Sequence, residues 1–193
     1  MPPNRMNRAY YYFAASLPML LWGGKVPLSM EDYLSDCQRL LEENDYALVR
    51  RLLEGEGGTG ATGNAAADAW LRFDRNFRNE MALFRAQRLG KDPSRYVRGV
   101  WDSDPSLKDV IHQASKSSNL MSAETLLDQT VWQFLDELVS GHYYDTVYIF
   151  VYGLKLKILE RHRQYHSPQG RSSFDEIRMI EFPESCILES RLK

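Results

Sequence analysis

The sequence predicts an all-α protein, organised as a single helical domain of about six or seven helices. In most segments apolar residues recur every three or four positions, as one buried face of an α-helix requires. Capping residues precede these segments and glycines follow several of them, which marks where helices begin and end. The composition is globular, with 44% hydrophobic and 26% charged residues, and the length suits one domain. We therefore treat residues 1–193 as one unit.

Charge and cysteine content narrow the function classes. The formal net charge is only −2, without the basic excess typical of an extended nucleic-acid surface, so no nucleic-acid partner is expected. No apolar run approaches the roughly 20 residues that cross a bilayer, so we expect no direct membrane insertion. The two cysteines fit no metal or redox motif, and we expect a cytoplasmic protein. The first residues resemble a signal peptide only loosely and lack a clear cleavage site.

The N-terminal region, residues 9–28, is expected to be an extended aromatic segment. It contains YYYFAAS at residues 10–16, then Pro18 and the glycine pair after Trp22. Aromatic residues favour a strand, but a lone strand in a helical chain has no partner. An extended segment packed across the helices is the better interpretation.

Two short helices follow. Ser29 is a good N-cap with acidic residues in the next turn, and the apolar spacing carries this helix to about residue 43. Asn44 or Asp45 is expected to cap the second helix, which ends at Gly55. Residues 55–64, GEGGTGATGN, then form a predicted flexible loop rather than a phosphate-binding loop, because Asn64 stands where that motif needs lysine.

A long helix is predicted over residues 65–89, with Asn64 as its cap. Its aromatic and apolar stripe is interleaved with arginines, a pattern that could also bind single-stranded nucleic acid. Burial alone demands the same spacing, and acidic residues offset the arginines, so the stripe is interpreted as core. The stripe consists of Trp70, Phe73, Phe77, Met81 and Phe84.

Two further helices precede the last one. Asp104 and Pro105 begin a helix over residues 105–115. Ser122 is expected to cap a helix over residues 123–139, which Gly141 ends. The short connection predicts that this helix lies antiparallel to the next, as an αα-hairpin.

Residues 144–163 are predicted to form the central helix, buried at its start and basic at its end. The run from 147 to 152 is apolar and aromatic on all sides, so other helices should surround it. Tyr148 and Tyr152, if buried, need partners for their hydroxyl groups. The second half carries the predicted partner-binding residues. Because the first half of the helix is buried and fixed in place, the basic second half can present its charges rigidly to an acidic partner. These residues are Lys155, Lys157, Arg161 and Arg163.

Lys155 has a second interpretation. It shares the helix face of Tyr152 and Leu159, and a buried lysine needs a carboxylate or a lowered pKa, which makes it a candidate site residue. The favoured interpretation is that its methylene groups follow the apolar stripe while its amine reaches water.

No catalytic, cofactor or metal site is predicted, and no small-molecule substrate is expected. His162 and His166 have the i, i+4 spacing of helical zinc ligands, but Arg163 stands where a metalloprotease helix has glutamate. His112 has no recognisable nucleophile or carboxylate set beside it and is interpreted as structural. Residues 167–193 are expected to be a loosely tied C-terminal tail, with one or two helical turns over 174–180.

Three stretches together resemble an uncharacterised bacterial family with a YYYxxASLP start, typically encoded beside the subunits of V-type (A/V-type) ATPases. They are residues 10–20, YYYFAASLPML; residues 27–53, with PLSMEDYLSDC and DYALVRRLL; and residues 145–162, DTVYIFVYGLKLKILERH. The last stretch also resembles the closing helix of the C/d subunit, the helical socket between the central stalk and the membrane ring. That subunit is much longer and has three helical repeats, whereas this chain has no clear repeat.

The resemblance implies a non-catalytic subunit or accessory factor of a V-type ATPase, in or near the C/d role. Its partners would be stalk or ring-facing subunits, and it would lie peripheral to the membrane through that complex. The alternative is a stand-alone helical protein-interaction module. An enzyme ranks third, because it would need a cleft lined by Lys155, His162 or nearby carboxylates.

Overall fold

The computed structural model describes residues 10–55, 61–99 and 102–165. Within them seven α-helices and one 3-10 turn form, and no strand, so the predicted all-α class is confirmed. The elements are α1 Tyr11–Ser16, α2 Met30–Leu40, α3 Glu43–Glu54, α4 Ala65–Arg88, the 3-10 turn Pro93–Arg95, α5 Pro105–Ser115, α6 Leu120–Val139 and α7 Thr146–Tyr165.

Most of the predicted helix starts are confirmed by capping hydrogen bonds. The Ser29 hydroxyl accepts from the Asp32 N–H at 3.0 Å, and the Asn64 side chain accepts from two N–H groups of the first turn of α4. Asp104 caps α5 in the same way. Two predicted caps were wrong. α3 begins at Glu43, after Glu42, which makes no side-chain capping bond, so neither Asn44 nor Asp45 is its cap. The second is the cap of α6. Asn119, not Ser122, caps this helix, because its Oδ1 accepts from the Ser122 N–H at 2.7 Å and the helix starts one turn earlier.

The N-terminal segment is only partly extended. Tyr11–Ser16 forms a short helix, so the extended prediction was wrong for these residues. The physical reason is tertiary: Phe13 and Ala14 are buried on one side of α1, and the Tyr10 N–H donates to the Tyr144 carbonyl just before α7. Helical geometry lets the adjacent residues Tyr11 and Tyr12 both stay exposed while Phe13 enters the core. Residues 17–28 form no helix and cross the domain as expected.

α7 is the central element of the fold. It packs against α2, α3 and α6, and its residues from Thr146 to Leu154 are buried except for Tyr148, which is half-buried. The Tyr152 hydroxyl donates to the Pro18 carbonyl at 2.9 Å, which satisfies the predicted need for a partner. Gly153 allows close packing, since a Cβ there would lie 2.7 Å from Cε1 of Tyr33.

The α6–α7 hairpin is antiparallel, as predicted. Lys155 of α7 pairs with Asp136 of α6, and His162, two turns later, pairs with Asp128, eight residues earlier in α6. Because the contacts move back along α6 as they move forward along α7, the two helices run in opposite directions.

α4 lies beside a second, smaller cluster. Its stripe divides: Phe73 stacks on Phe134 of α6 with ring centroids 3.9 Å apart, whereas Phe77, Met81 and Phe84 pack against buried residues of α5 and α6. Only Trp70 of the five stripe residues is fully buried. The core interpretation is therefore correct for the first turns and only half correct further along, where the stripe lines a groove.

Several predictions fall on residues outside the described ranges. They concern most of the glycine-rich loop, His166 and the C-terminal tail. In the part of the chain that the structure describes, no helix is long and apolar enough to span a bilayer.

Candidate partner-binding groove

A groove with a volume of about 1000 Å³ opens between α4 and the second half of α7. It forms because α4 packs against α5 and α6, while α7 packs against α3 and α6, so the two helices stand apart over α6. Its floor is apolar, and charged side chains stand at its mouth. The apolar floor includes Trp70, Phe73, Phe77, Met81, Leu127, Val131 and Leu154. The charged lining consists of five acidic residues, Glu54, Asp74, Glu124, Asp128 and Glu160, and four basic residues, Arg78, Arg85, Lys157 and Arg161.

Lys157 stands at the mouth, beside the C-terminus of α3. Its Nζ donates to the Leu53 carbonyl at 2.5 Å, one of the last carbonyls of that helix, where a cation is favoured. Burial lowers the pKa of Lys157, and the nearby positive charges of Arg78 and Arg161 lower it further. The negative charge of Asp74 acts in the opposite direction and raises it. Arg78 and Arg161 are themselves paired, with Asp74 and Asp128 respectively.

Arg161 is tied to the protein more firmly than its sequence position suggests. Its guanidinium pairs with the carboxylate of Asp128, a residue of α6 that is only 4% exposed. His162 Nε2 lies 2.7 Å from the other oxygen of the same carboxylate. Because Arg161 is part of this buried cluster, its replacement would disturb the α6–α7 contact as well as the groove.

Lys155 lies away from the groove, on the side of α7 that faces the end of α6. Its Nζ is 2.5 Å from Asp136 Oδ1 and 5.1 Å from the centre of the Trp132 ring. The side chain is 12% exposed, whereas that of Asp136 is 56% exposed. The stem is therefore buried along the apolar face, and the amine ends at an exposed carboxylate rather than inside a buried ion pair.

The four predicted partner-binding residues thus occupy different surroundings. Lys157 and Arg161 line the groove, Lys155 packs on Trp132, and Arg163 is exposed on the outer side of α7. Sequence reasoning missed the contribution of Arg78 and Arg85 from α4. The available signal is the interleaving of arginines with the aromatic stripe, a pattern that fits a charged helix face beside the core equally well.

Much of the negative charge at the groove is already engaged. Asp74 pairs with Arg78 at 2.9 Å, and Glu160 Oε1 accepts from the Met30 N–H at 2.9 Å. Asp128 is engaged by α7, as described. Among residues 10–55, 61–99 and 102–165 no cluster of three or more potential metal ligands occurs. The apolar floor is suited to holding an apolar ridge, and Arg85 and Lys157 are cations of the lining that lie outside these ion pairs.

Known proteins resemble the chain over its last helices. Residues 99–181 match a family described as "Protein of unknown function (DUF2764)". The match covers α5, α6 and α7 and continues beyond α7, but it spans less than half of the chain. The prediction of an uncharacterised family is confirmed at this level. No curated protein matches the chain, and no solved structure matches it.

The matched residues include one wall of the groove and part of its floor. Lys157 and Arg161 of α7 and Leu127 and Val131 of α6 lie among them. The other wall, formed by α4, precedes the matched region.

Proposed function

We propose that the protein is a non-catalytic accessory subunit of a V-type ATPase that holds an acidic, amphipathic helix of a stalk or ring-facing subunit in the groove. The observation that carries the binding part is the groove itself, with its apolar floor and with Arg85 and Lys157 in its charged lining. An amphipathic helix binds such a surface by placing its apolar face on the floor.

The groove has the physical properties of a binding surface for a protein segment. Phe77 and Met81 are only partly buried, so a partner could remove further apolar area from water. Apolar surface that lies open between two helices and is rimmed by charge is typical of interaction sites. The cations would orient a partner and accelerate its association more than they would strengthen the complex.

The groove does not identify the partner complex, and the proposal of a V-type ATPase rests on the sequence instead. It comes from the resemblance of residues 10–20, 27–53 and 145–162 to the family encoded beside ATPase subunits. The third stretch is α7, which forms one wall of the groove. A stand-alone interaction module is the competing proposal, and it uses the same groove.

The proposal is tested by recovering partners with the tagged full-length protein from cells that express the complete ATPase operon. We expect ATPase subunits to be recovered at low salt and less efficiently at high salt, because salt screens the charges at the mouth. The variant Lys157→Glu with Arg85→Glu should reduce recovery and weaken its salt dependence. Arg85 is chosen rather than Arg161 because Arg161 is bound to buried Asp128, and its reversal would disturb the fold.

The matched control is Arg163→Glu, a charge reversal on the same helix but outside the groove. It should leave recovery unchanged. If the wild type recovers no ATPase subunit at either salt concentration, the ATPase proposal fails and the stand-alone module is favoured. Equal recovery by the wild type and the groove variant would show that the groove is not the contact.

A further inference from the structure

One end of the helical bundle brings together the last turns of α4, α5 and α7 and the first turn of α6. Phe73 of α4 stacks on Phe134 of α6, whereas Phe84 lies in the cluster that contains Ala123, so α4 and α6 are antiparallel. The centre of the Phe84 ring lies 6.3 Å from that of His112, and a short connection joins α5 to α6. α7 ends on the same side, because it forms an antiparallel hairpin with α6.

This end of the bundle is basic, although the whole chain has a net charge of −2. We call residues 85–96, 109–124 and 162–165 the basic end. Its basic residues are Arg85, Arg88, Lys91, Arg95, Lys116 and Arg163, and its acidic residues are Asp92, Asp109 and Glu124. Asp92 is offset by Arg95, which lies 3.9 Å away. Within the described part of the chain, the other bases of this end form no ion pair.

The opposite end of the bundle has the opposite charge. There the Tyr10 hydroxyl bonds to Asp45 and to the Glu42 N–H, and the Tyr10 N–H donates to the Tyr144 carbonyl, which joins the α2–α3 connection to the start of α7. The acidic residues at this end are Glu42, Glu43, Asp45, Asp68 and Asp145, and the basic residues are Arg39 and Arg72. A molecule polarised in this way turns its basic end toward an anionic surface.

Large aliphatic side chains are exposed at the basic end. Leu89 is 69% exposed, Leu120 is 63% exposed and Met121 is 38% exposed. Leu89 directly follows α4, where Gly90 has a φ of +61° and turns the chain. Aliphatic side chains among basic residues can enter the boundary between lipid headgroups and acyl chains. A surface for single-stranded nucleic acid instead uses aromatic rings on which the bases stack.

The bases are spread over several elements and do not line one pocket. Arg88, Lys91 and Lys116 all lie outside the groove lining. Dispersed cations suit an anionic bilayer, because its negative potential extends over the whole surface.

We propose that the basic end binds the surface of a bilayer that contains anionic lipids. Leu89, Leu120 and Met121 would enter the headgroup boundary, and the bases around them would lie against the lipid phosphates. No described helix crosses the bilayer in this arrangement. The inference does not rest on the proposed ATPase contact, since that contact uses the groove.

Flotation of the full-length protein with lipid vesicles tests the proposal. One set of vesicles consists of phosphatidylcholine alone, and the other contains about a third phosphatidylglycerol, which makes its surface anionic. We expect the protein to float with the anionic vesicles at low salt, to dissociate from them at high salt, and to ignore the neutral vesicles. Equal recovery with both kinds of vesicle, or no recovery with either at low salt, would overturn the proposal.

Neutralising two bases locates the contact. Lys91→Gln with Lys116→Gln should lower the partition coefficient for anionic vesicles by about twentyfold to thirtyfold, which corresponds to about fivefold for each base removed from an anionic surface. The matched control is Arg39→Gln with Arg72→Gln at the opposite end, which changes the net charge equally and should lower the coefficient by less than about twofold. Thermal melts verify the folding of both variants. Equal losses would mean that only net charge matters, which contradicts a docking surface.

Replacing exposed leucines tests the apolar part of the contact. Leu89→Ser with Leu120→Ser should lower the partition coefficient by about tenfold, because less apolar area would leave water on binding. Tyr12→Ser with Tyr143→Ser, which removes exposed rings at the opposite end, should leave it unchanged. If the tyrosine variant loses binding and the leucine variant does not, the opposite end is the contact and the proposal is wrong.

Binding of a polyuridine RNA to the same proteins is measured by fluorescence anisotropy. RNA binding that is weakened by Lys91→Gln with Lys116→Gln, in the absence of vesicle binding, would assign the basic end to nucleic acid and overturn the proposal. None of these assays contains an ATPase subunit. Their results therefore stand whether or not the recovery of ATPase subunits succeeds.

Discussion

α7 and α4 are both long helices with prominent aromatic side chains, yet the protein uses them in opposite ways. The first half of α7 is surrounded by α2, α3 and α6, and Ile149 and Phe150 have no exposed surface. α4 buries Trp70, but Phe77 and Met81 stay half-buried along the groove. The difference teaches that an apolar stripe specifies which side of a helix avoids water, but not how completely other elements cover it.

The buried polar groups sharpen the contrast. α7 buries one polar side chain, Thr146, at its first residue and contributes a glycine at its contact with Tyr33, whereas α4 buries Asn79 and Glu80 within its length, each 3% exposed. The Asn79 side chain is held by two hydrogen bonds to the backbone of Arg98, at 3.0 and 3.1 Å. α4 therefore faces a polar loop on one side and the open groove on the other. The following substitutions test whether residues packed around α7 contribute more to the free energy of unfolding than residues of α4 along the groove.

The largest expected effect comes from truncating one phenylalanine in each helix. Phe150→Ala should lower the free energy of unfolding by about 4 kcal/mol, because the ring is fully buried and its removal leaves a cavity. Phe77→Ala should lower it by less than about 2 kcal/mol, since the ring is partly exposed in the groove. Chemical denaturation followed by circular dichroism measures both. Equal losses would refute the distinction between the two helices.

The second prediction concerns alkaline pH, because titratable groups are buried around α7. Burial raises the pKa of Tyr152 from 10.0 to about 12, raises that of Cys37 from 9.0 to about 11, and raises that of Tyr33 well above 10.0. A raised folded-state pKa gives stability that is complete below the unfolded pKa and is lost as pH rises through the folded value. Stability should therefore decline between about pH 9 and pH 12.

Variants separate the contribution of Tyr152. Tyr152→Phe should remove its share of the alkaline decline, about 3 kcal/mol at about 1.4 kcal/mol per pKa unit, while lowering stability at neutral pH through the lost hydrogen bond to Pro18. The matched control is Tyr12→Phe, whose ring is 88% exposed and which should leave the profile unchanged. Denaturation curves across the pH range provide the measurement. A wild-type curve that is flat to pH 12 would contradict the buried setting of these groups.

The third prediction compares a change of one methyl group in each helix. Gly153→Ala should destabilise the protein by about 1 to 3 kcal/mol despite the better helix propensity of alanine, because its Cβ would lie 2.7 Å from Tyr33 and 3.2 Å from Leu53. Ala82→Gly, on the groove side of α4, should cost about 1 kcal/mol, the helix-propensity difference alone. Thermal melts distinguish the two. A stabilising Gly153→Ala would mean that the α7 interface is looser than described.

The smallest expected change in the free energy of unfolding is for Lys155, in the second half of α7. Lys155→Met should change stability by less than about 1 kcal/mol, because its partner Asp136 is exposed and well screened. Arg161→Met should cost more, since it leaves the nearly buried carboxylate of Asp128 with His162 alone. The two unfolding free energies can be compared directly. A loss above about 3 kcal/mol for Lys155→Met would instead identify a buried ion pair.

The sequence by itself determined the elements that depend on local chemistry. Ser29, Asn64 and Asp104 could be identified as caps because a side-chain oxygen at a helix start satisfies N–H groups within the next turn. The burial of α7 followed from an apolar run with no polar side to expose. The basic character of its second half was also readable, and two of the four residues named there line the groove.

The tertiary structure decided what depends on distant partners. Residues 11–16 became helical because Tyr10 and Phe13 found contacts elsewhere in the chain, which local propensity does not record. The groove exists because α4 and α7 both pack on α6 without closing on each other, and spacing within either helix cannot specify that gap. Likewise, Arg161 is a structural partner of Asp128 only because an antiparallel hairpin brings residues 33 positions apart together. Local patterns fix the sides of helices, whereas their separation depends on the sum of all packing contacts.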